Sequence, residues 1–312
     1  MRRNHCCVIG GTGFLGRCLL ELLVQSGREI TVIGRSQSPR PPLPKSVRYI
    51  VGDYGEKHFL SAALKGVDEV VNLAYQTNPK SSHDKPLTDL TYNLPSFLSF
   101  LQVASRFSMV KLVVVSSGGA VYGQGGCSPI TEDHPTNPIS PYGVSKLALE
   151  KYALMFHKEF ALPVVCVRPG NAFGEGQKPF TGQGFIATAL GCILTGRPVE
   201  IFGSEGTIRD YIHVSDVASG ILRALEHGTP GGCYNIGAGV GRSNIDVLNI
   251  IGGLAPLCNR RWEIRSMPSR KFDVTANVLD STKLKSESDW QVTVPFEEGL
   301  IRTWNWLSQQ LK

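Results

Sequence analysis

Nowhere in its 312 residues does the chain run apolar for the roughly 18 positions that a membrane-crossing helix needs. Its start, Met1-Arg2-Arg3-Asn4-His5-Cys6-Cys7-Val8-Ile9-Gly10, turns into glycines before a signal-peptide core can form. The expectation is a soluble, cytoplasmic protein with no membrane partner. Cysteine is present eight times, yet Cys6, Cys7, Cys18, Cys127, Cys166, Cys192, Cys233 and Cys258 contain no Cys-x-x-Cys pair. That scatter argues against a zinc site or a disulfide framework and for reduced, mostly buried thiols, so no metal is expected. Basic residues exceed acidic ones by 32 to 26 but form no tract. A phosphate-bearing small molecule accounts for such a surplus, and nucleic acid is not an expected partner. Internal repeats are missing too, and the proline-rich stretch from Ser38 to Pro44 is too short to be a tail.

What is present reads as an α/β protein. An apolar content of 42% over this length suits two closely packed lobes, because single cores stop growing near about 250–300 residues. Short apolar runs at Cys6–Ile9, Ile30–Ile33, Tyr49–Val51, Glu69–Leu73, Leu112–Ser116 and Val164–Val167 alternate with helical patterns. Those patterns lie near Leu15–Gln25, Lys57–Leu64, Leu94–Ser105 and Ser145–Phe160. The alternation predicts a doubly wound, Rossmann-type parallel sheet with its ligand crevice beyond the carboxyl ends of the strands. Past Pro169, glycine-rich loops separate shorter elements. The expected organisation is a dinucleotide-binding domain over 1–169 and a smaller α/β substrate lobe over 170–312, with segments free to cross between them.

Three segments carry chemistry. Gly10-Gly11-Thr12-Gly13-Phe14-Leu15-Gly16 follows the first strand and opens the first helix. Gly10 and Gly13 let the backbone turn and approach a pyrophosphate, Gly16 permits close helix–strand packing, and the helix N-terminus offers free N–H groups. Tyr142-Gly143-Val144-Ser145-Lys146 starts a later helix, where the four-residue spacing stacks Tyr142 and Lys146 on one face. A free tyrosine, with a pKa of about 10, is a poor base at neutral pH, but a neighbouring ammonium favours the phenolate. Tyr142 can then remove and return a carbinol proton while hydride is exchanged with a nicotinamide, whose ribose Lys146 can hold. Ser116 and Ser117 close a strand, Ser117 lying 25 residues before Tyr142, where a hydroxyl can reach the reacting oxygen.

Together these segments resemble the nucleotide-sugar epimerase and dehydratase family of extended short-chain dehydrogenases, and the UDP-hexose 4-epimerases in particular. The resemblance covers essentially the whole chain and implies residue roles. Asp53 and Tyr54 match an adenine-binding turn, Leu73-Ala74-Tyr75 the wall beside the cofactor, and Asn93 a buried helix asparagine. Gly10, Gly13, Phe14, Leu15, Gly16, Ser116, Tyr142, Lys146 and Pro169 complete the implied cofactor site. Asn171 of Arg168-Pro169-Gly170-Asn171 is implied to contact the substrate diphosphate, as is Arg209 of Arg209-Asp210-Tyr211-Ile212-His213; His213 itself reads as structural. Arg270 and Asp273 match an Arg-x-x-Asp that anchors the nucleotide from the other side, and Asn277 falls where family members limit room at the sugar's C2.

Two departures stand out. The family's Ser or Thr three residues before the Val of Val-Tyr-Gly is here Gly118, so Ser117 is the expected catalytic hydroxyl, with Ser116 as the alternative. At the end of the second strand an acidic residue normally grips the adenosine ribose, whereas this chain reads Ile33-Gly34-Arg35. Arg35 could pair with a 2′-phosphate. The expected enzyme is therefore an NAD-using UDP-hexose or UDP-N-acetylhexosamine 4-epimerase working through a 4-keto sugar. Its substrate partner would be a UDP-sugar, and the resemblance implies a homodimer. An NADP(H)-dependent keto-sugar reductase stays open, as does a non-catalytic nucleotide sensor on the same fold.

Overall fold

The computed structural model describes residues 4–124, 129–254, 261–269 and 273–311. In chain order the first part comprises β1 (His5–Ile9), α1 (Phe14–Gln25), β2 (Glu29–Gly34), β3 (Val47–Val51), α2 (Lys57–Ala63), β4 (Glu69–Asn72), α3 (Pro79–Asp84), α4 (Pro86–Ala104), β5 (Lys111–Val115), α5 (Gly118–Val121), α6 (Pro141–Phe160) and β6 (Val164–Pro169). The remainder comprises β7 (Asn171–Phe173), α7 (Phe185–Thr195), β8 (Val199–Phe202), β9 (Ile208–His213), α8 (Val214–His227), β10 (Cys233–Ile236), β11 (Gly241–Arg242), α9 (Asn244–Gly253), β12 (Ile264–Met267), β13 (Ala276–Asn277), α10 (Thr282–Ser288) and α11 (Phe296–Gln310).

Seven strands form one parallel sheet in the order β10-β6-β5-β4-β1-β2-β3. Helices cover both faces, which is why its inner strands are mostly apolar. Along β1, Cys6 and Val8 turn to the layer that holds Leu19, Leu20 and Leu23 of α1 with Ile221 of α8. Cys7 and Ile9 turn to the opposite layer, with Phe97 and Phe100 of α4 and Ala153 of α6. Strand order reverses between β1 and β4, and in register Ile9 lies level with Ile33 of β2 and Asn72 of β4. Segments leaving β1 and β4 therefore diverge to opposite faces and open a crevice.

Past Pro169 the chain builds a second lobe around β11-β9-β13, with β7 also on β9, and a core including Leu190, Val247, Leu300 and Trp304. It also returns to the first lobe: β10 pairs with β6, and α8 packs on α1. The sequence pattern differs most at α4, expected from Leu94 but beginning at Pro86 with Pro95 inside it. An interior proline costs about 3 kcal/mol, and here packing against α6 and α2 sustains the helix. Among the described residues no helix is long and apolar enough to cross a membrane.

Candidate active site

The glycine segment makes the turn its composition demands. Gly10 has φ +82°, and a Cβ on it would sit 3.0 Å from the Ala74 amide nitrogen. A Cβ on Gly16 would meet Gly11 Cα at 2.6 Å. Gly13 is the N-cap of α1, which has neither a capping side chain nor an acid in its first turn. Free N–H groups and the positive end of the dipole are thus available to an anion. Phe14 and Leu15 of that turn line a cavity of about 610 Å³ that continues past Ser116, Ser117, Tyr142, Pro169 and Asn171 to Arg209 and Asp273.

Tyr142 and Lys146 stand one turn apart at the start of α6, a helix fixed at its origin by Ser140, whose hydroxyl accepts from the Gly143 N–H at 3.2 Å. Lys146 is buried; its Nζ donates to the Val115 carbonyl at 3.1 Å and lies 4.0 Å from the centre of the Tyr75 ring. That ring meets Tyr142 edge-on, 5.2 Å between centres. Burial pushes the Tyr142 phenol up to about 12, opposed by the Ser117 hydrogen bond and reinforced by the Asp89 charge. Burial lowers Lys146 to about 8, opposed by Glu150 and Asp89. Desolvation disfavours the charged form of both groups, yet at neutral pH an amine near 8 is still mostly ammonium while a phenol near 12 keeps its proton, so forming the phenolate needs further positive charge nearby.

Ser117 is the N-cap of α5, in extended conformation, with its hydroxyl against the Tyr142 phenol. The next position cannot carry the hydroxyl instead. A Cβ on Gly118 would meet Leu279 Cδ1 at 2.6 Å and the Arg168 carbonyl oxygen at 2.8 Å. Ser116 Oγ is buried on the cavity wall and finds no hydrogen-bond partner among the described residues. Asn277 is fully buried behind α5; its Nδ2 donates to the Gly118 carbonyl at 3.0 Å, and it does not line the cavity.

At the far end Arg209 emerges from β9, steadied by Asp210, whose buried carboxylate accepts from the N–H groups of Ala238, Gly239 and Leu279 at 2.8–3.1 Å. Burial lowers the Arg209 pKa, opposed by Tyr211 and Asp273. Arg270 lies outside the described residues. Of the implied cofactor residues, Tyr54 packs its ring into the core, edge-on to Phe100 at 6.3 Å. Asn93 is likewise buried, accepting from the Gln76 N–H at 2.8 Å and so shaping the wall after β4 from behind. Asp53 is exposed and accepts from the Gly55 N–H at 2.8 Å. Arg35, also exposed, donates to Gln76 Oε1 at 2.9 Å.

A family model described as NAD dependent epimerase/dehydratase matches residues 6–237. The chain belongs to this family. The UDP-glucose 4-epimerase of Mycolicibacterium smegmatis is 30% identical over 303 residues, covering 95% of this chain and 96% of that protein. Among solved structures, the Thermotoga maritima UDP-glucose 4-epimerase with UDP-glucose superposes with a TM-score of 0.91 at 28% identity, covering 99% of this chain and 100% of that one. The Thermus thermophilus UDP-glucose 4-epimerase in complex with NAD gives 0.89 at 31% identity, covering 97% and 98%.

The epimerase/dehydratase family's dinucleotide fits the residues present. Cβ atoms would obstruct the close approaches at Gly10 and Gly16, the α1 N-terminus is uncapped by any side chain, and Ser116 Oγ is a buried polar atom still wanting a partner. Three features escape sequence reading. Short helix α3 brings Lys80 and His83 to the cavity, and its signal was the Asn78-Pro79 cap with Ser81 completing a capping box. Gln177 lines the cavity from a loop with no motif. Asp89 lies fully buried behind Lys146.

Proposed function

We propose that the protein is a nucleotide-sugar 4-epimerase that interconverts UDP-hexoses or UDP-N-acetylhexosamines with NAD kept in place throughout the cycle. The observation that carries this reading is one cavity that joins the glycine turn to Arg209 and Asp273, with Tyr142 and Ser117 between them. NAD, when bound, supplies the acceptor and donor of hydride. Tyr142 Oη takes the proton of the C4 hydroxyl as the sugar becomes a 4-keto compound and returns it once the sugar has presented its other face. The Lys146 ammonium offsets the cost of the phenolate, and its position beside the crevice suits a ribose hydroxyl. Ser117 hydrogen-bonds the reacting oxygen. Arg209, Asn171 and Asp273 hold the nucleotide, with Arg209's planar fork suited to diphosphate oxygens. Incubation with a panel of UDP-sugars, without added cofactor, tests the reading. C4-epimers should form from at least one sugar, and their absence from all would overturn it.

Asn277 bears on which sugar is accepted. It lies behind Gly118 and outside the cavity, so it would act on the sugar only through α5: a tyrosine there would push α5 toward the sugar, and with asparagine in its place acetamido sugars are expected among the substrates. Asn277→Tyr should depress turnover of UDP-N-acetylglucosamine more than that of UDP-glucose; equal losses would remove this position from sugar selection.

A second reading, an NADP(H)-dependent keto-sugar reductase, is favoured by the end of β2. A Cβ on Gly34 would meet the Tyr49 hydroxyl at 2.6 Å, so the tyrosine fills the space an acidic side chain needs, and the exposed Arg35, which rests on Gln76 Oε1 at 2.9 Å, can exchange that neutral partner for a 2′-phosphate. Calorimetry with both cofactors separates the readings: tighter NAD supports the epimerase, tighter NADP the reductase. We further place the enzyme in the cytoplasm as a homodimer through α4 and α6. Leu87 and Leu90 of α4 and Val144 and Met155 of α6, each pair spaced to one side of its helix, are 37–71% exposed, apolar surface that pairing would cover. Sedimentation should give twice the monomer mass.

A further inference from the structure

Asp89 is a buried carboxylate to which the chemistry above gives no task. It sits in the first turn of α4 with 0% exposure. Its Oδ1 accepts from the Tyr75 hydroxyl at 3.0 Å and from Thr77 Oγ1, and its Oδ2 accepts from Ser145 Oγ at 2.5 Å. The Asn93 amide adds a longer contact at 3.4 Å. All four partners are neutral, and among the described residues no cation is in direct contact with the carboxylate. A buried carboxylate is costly unless a positive charge lies near. The Asp89 charge reaches Lys146, which is next in sequence to Ser145 and rests on the Tyr75 ring that Asp89 holds.

We propose that Asp89 is the positioning residue of the catalytic pair: it ties the wall after β4 to α4 and α6 and sets, by its charge, the pH at which Tyr142 and Lys146 exchange protons. The inference rests on the acid–base role given to Tyr142 above. Other groups face the pair as well. Glu150 reaches Lys146 from their own helix, the Val115 carbonyl from β5, the Tyr75 ring from the wall after β4, and Ser117 meets Tyr142 from the N-cap of α5. Of these, only Glu150 is also a carboxylate, and its oxygens are already held by Arg168 at 2.7–3.1 Å. Glu150 acts more strongly than Asp89 on Lys146, whereas Asp89 is the carboxylate that acts on both members of the pair.

The sign of the effect follows. A negative charge makes both groups hold their protons more firmly, so removing it makes both release protons at lower pH. Because the Asp89 charge raises both groups, its removal moves both in the same direction. Asp89→Asn preserves shape and removes charge. Its bell-shaped turnover profile should move bodily to lower pH by about one unit, whereas loss of packing alone would lower the bell without moving it. Asp89→Glu retains the charge and should leave the profile in place. Should Asp89→Asn fail to fold, the smaller neutral Asp89→Ser carries the same expectation.

The test is run twice. Turnover against pH is measured in the loaded enzyme, and phenolate absorbance of Tyr142 is titrated in cofactor-free protein, as the difference between each form and its Tyr142→Phe counterpart. In the neutral variants both midpoints should fall together, and unmoved midpoints in both measurements would overturn the proposal. A moved phenolate midpoint in a wild-type protein that turns over no sugar would leave the charge effect standing and overturn the epimerase reading instead.

Discussion

Tyr142 is held by its neighbours in the state opposite to the one its chemistry needs, since burial drives the phenol up to about 12. Proton transfer therefore depends on charges brought close to it, and removing the hydroxyl removes the step. Tyr142→Phe should lower turnover by about 10²–10⁴-fold with little change in UDP-sugar affinity; retention of more than about a tenth of the wild-type rate would contradict its role. Ser117→Ala should cost less than Tyr142→Phe but more than Ser116→Ala. The reverse order would assign the catalytic hydroxyl to Ser116. The Tyr142–Lys146 spacing was legible in the sequence because both lie on one helix. That position 118 lacks a hydroxyl was equally plain, but why it must be glycine was not, because Leu279 and Arg168 approach Gly118 from distant parts of the chain.

Between elements, the loop after β7 is pinned by a cluster that no local pattern reveals. Glu175 accepts from Arg302 of α11 at 2.8 Å and meets His213, the N-cap of α8, at 2.9 Å. Burial raises its carboxyl, but the hydrogen bonds from His213 and Arg302 prevail and hold it at about 2, against an ordinary 4.5. A depressed carboxyl contributes stability that is complete above its unfolded pKa and disappears as pH falls through the folded one. Glu175→Gln should thus lower the urea midpoint at pH 7, and the gap to wild type should narrow from about pH 4.5 downward. A gap that stays constant to pH 3 would show that the carboxylate charge plays no part. Elements of the first lobe were legible because strand and helix periods alternate between glycine and proline breaks. The early start of α4 was hidden because a proline at an N1 position and one inside a helix look alike without the packing around them.

At the scale of the molecule, the parallel sheet, its strand reversal and the crevice beyond it follow from the alternation of elements, and they place the glycine turn where sequence reading expects it. The second lobe is harder to read because its strands pair across long separations, as when Asn171 of β7 meets Tyr211 of β9 and Asn277 of β13 meets Arg209. Residues of both lobes line one cavity, an arrangement suited to removing hydrogen from a sugar and returning it without release. The fate of the hydrogen on C4 is thus the most direct test. UDP-glucose carrying deuterium at C4 is incubated in ordinary water with the protein and no added cofactor, and the product is read by nuclear magnetic resonance. Epimerisation through a 4-keto sugar predicts UDP-galactose that keeps deuterium at C4. UDP-galactose with hydrogen at C4, or no epimer from either UDP-glucose or UDP-N-acetylglucosamine so labelled, would contradict it.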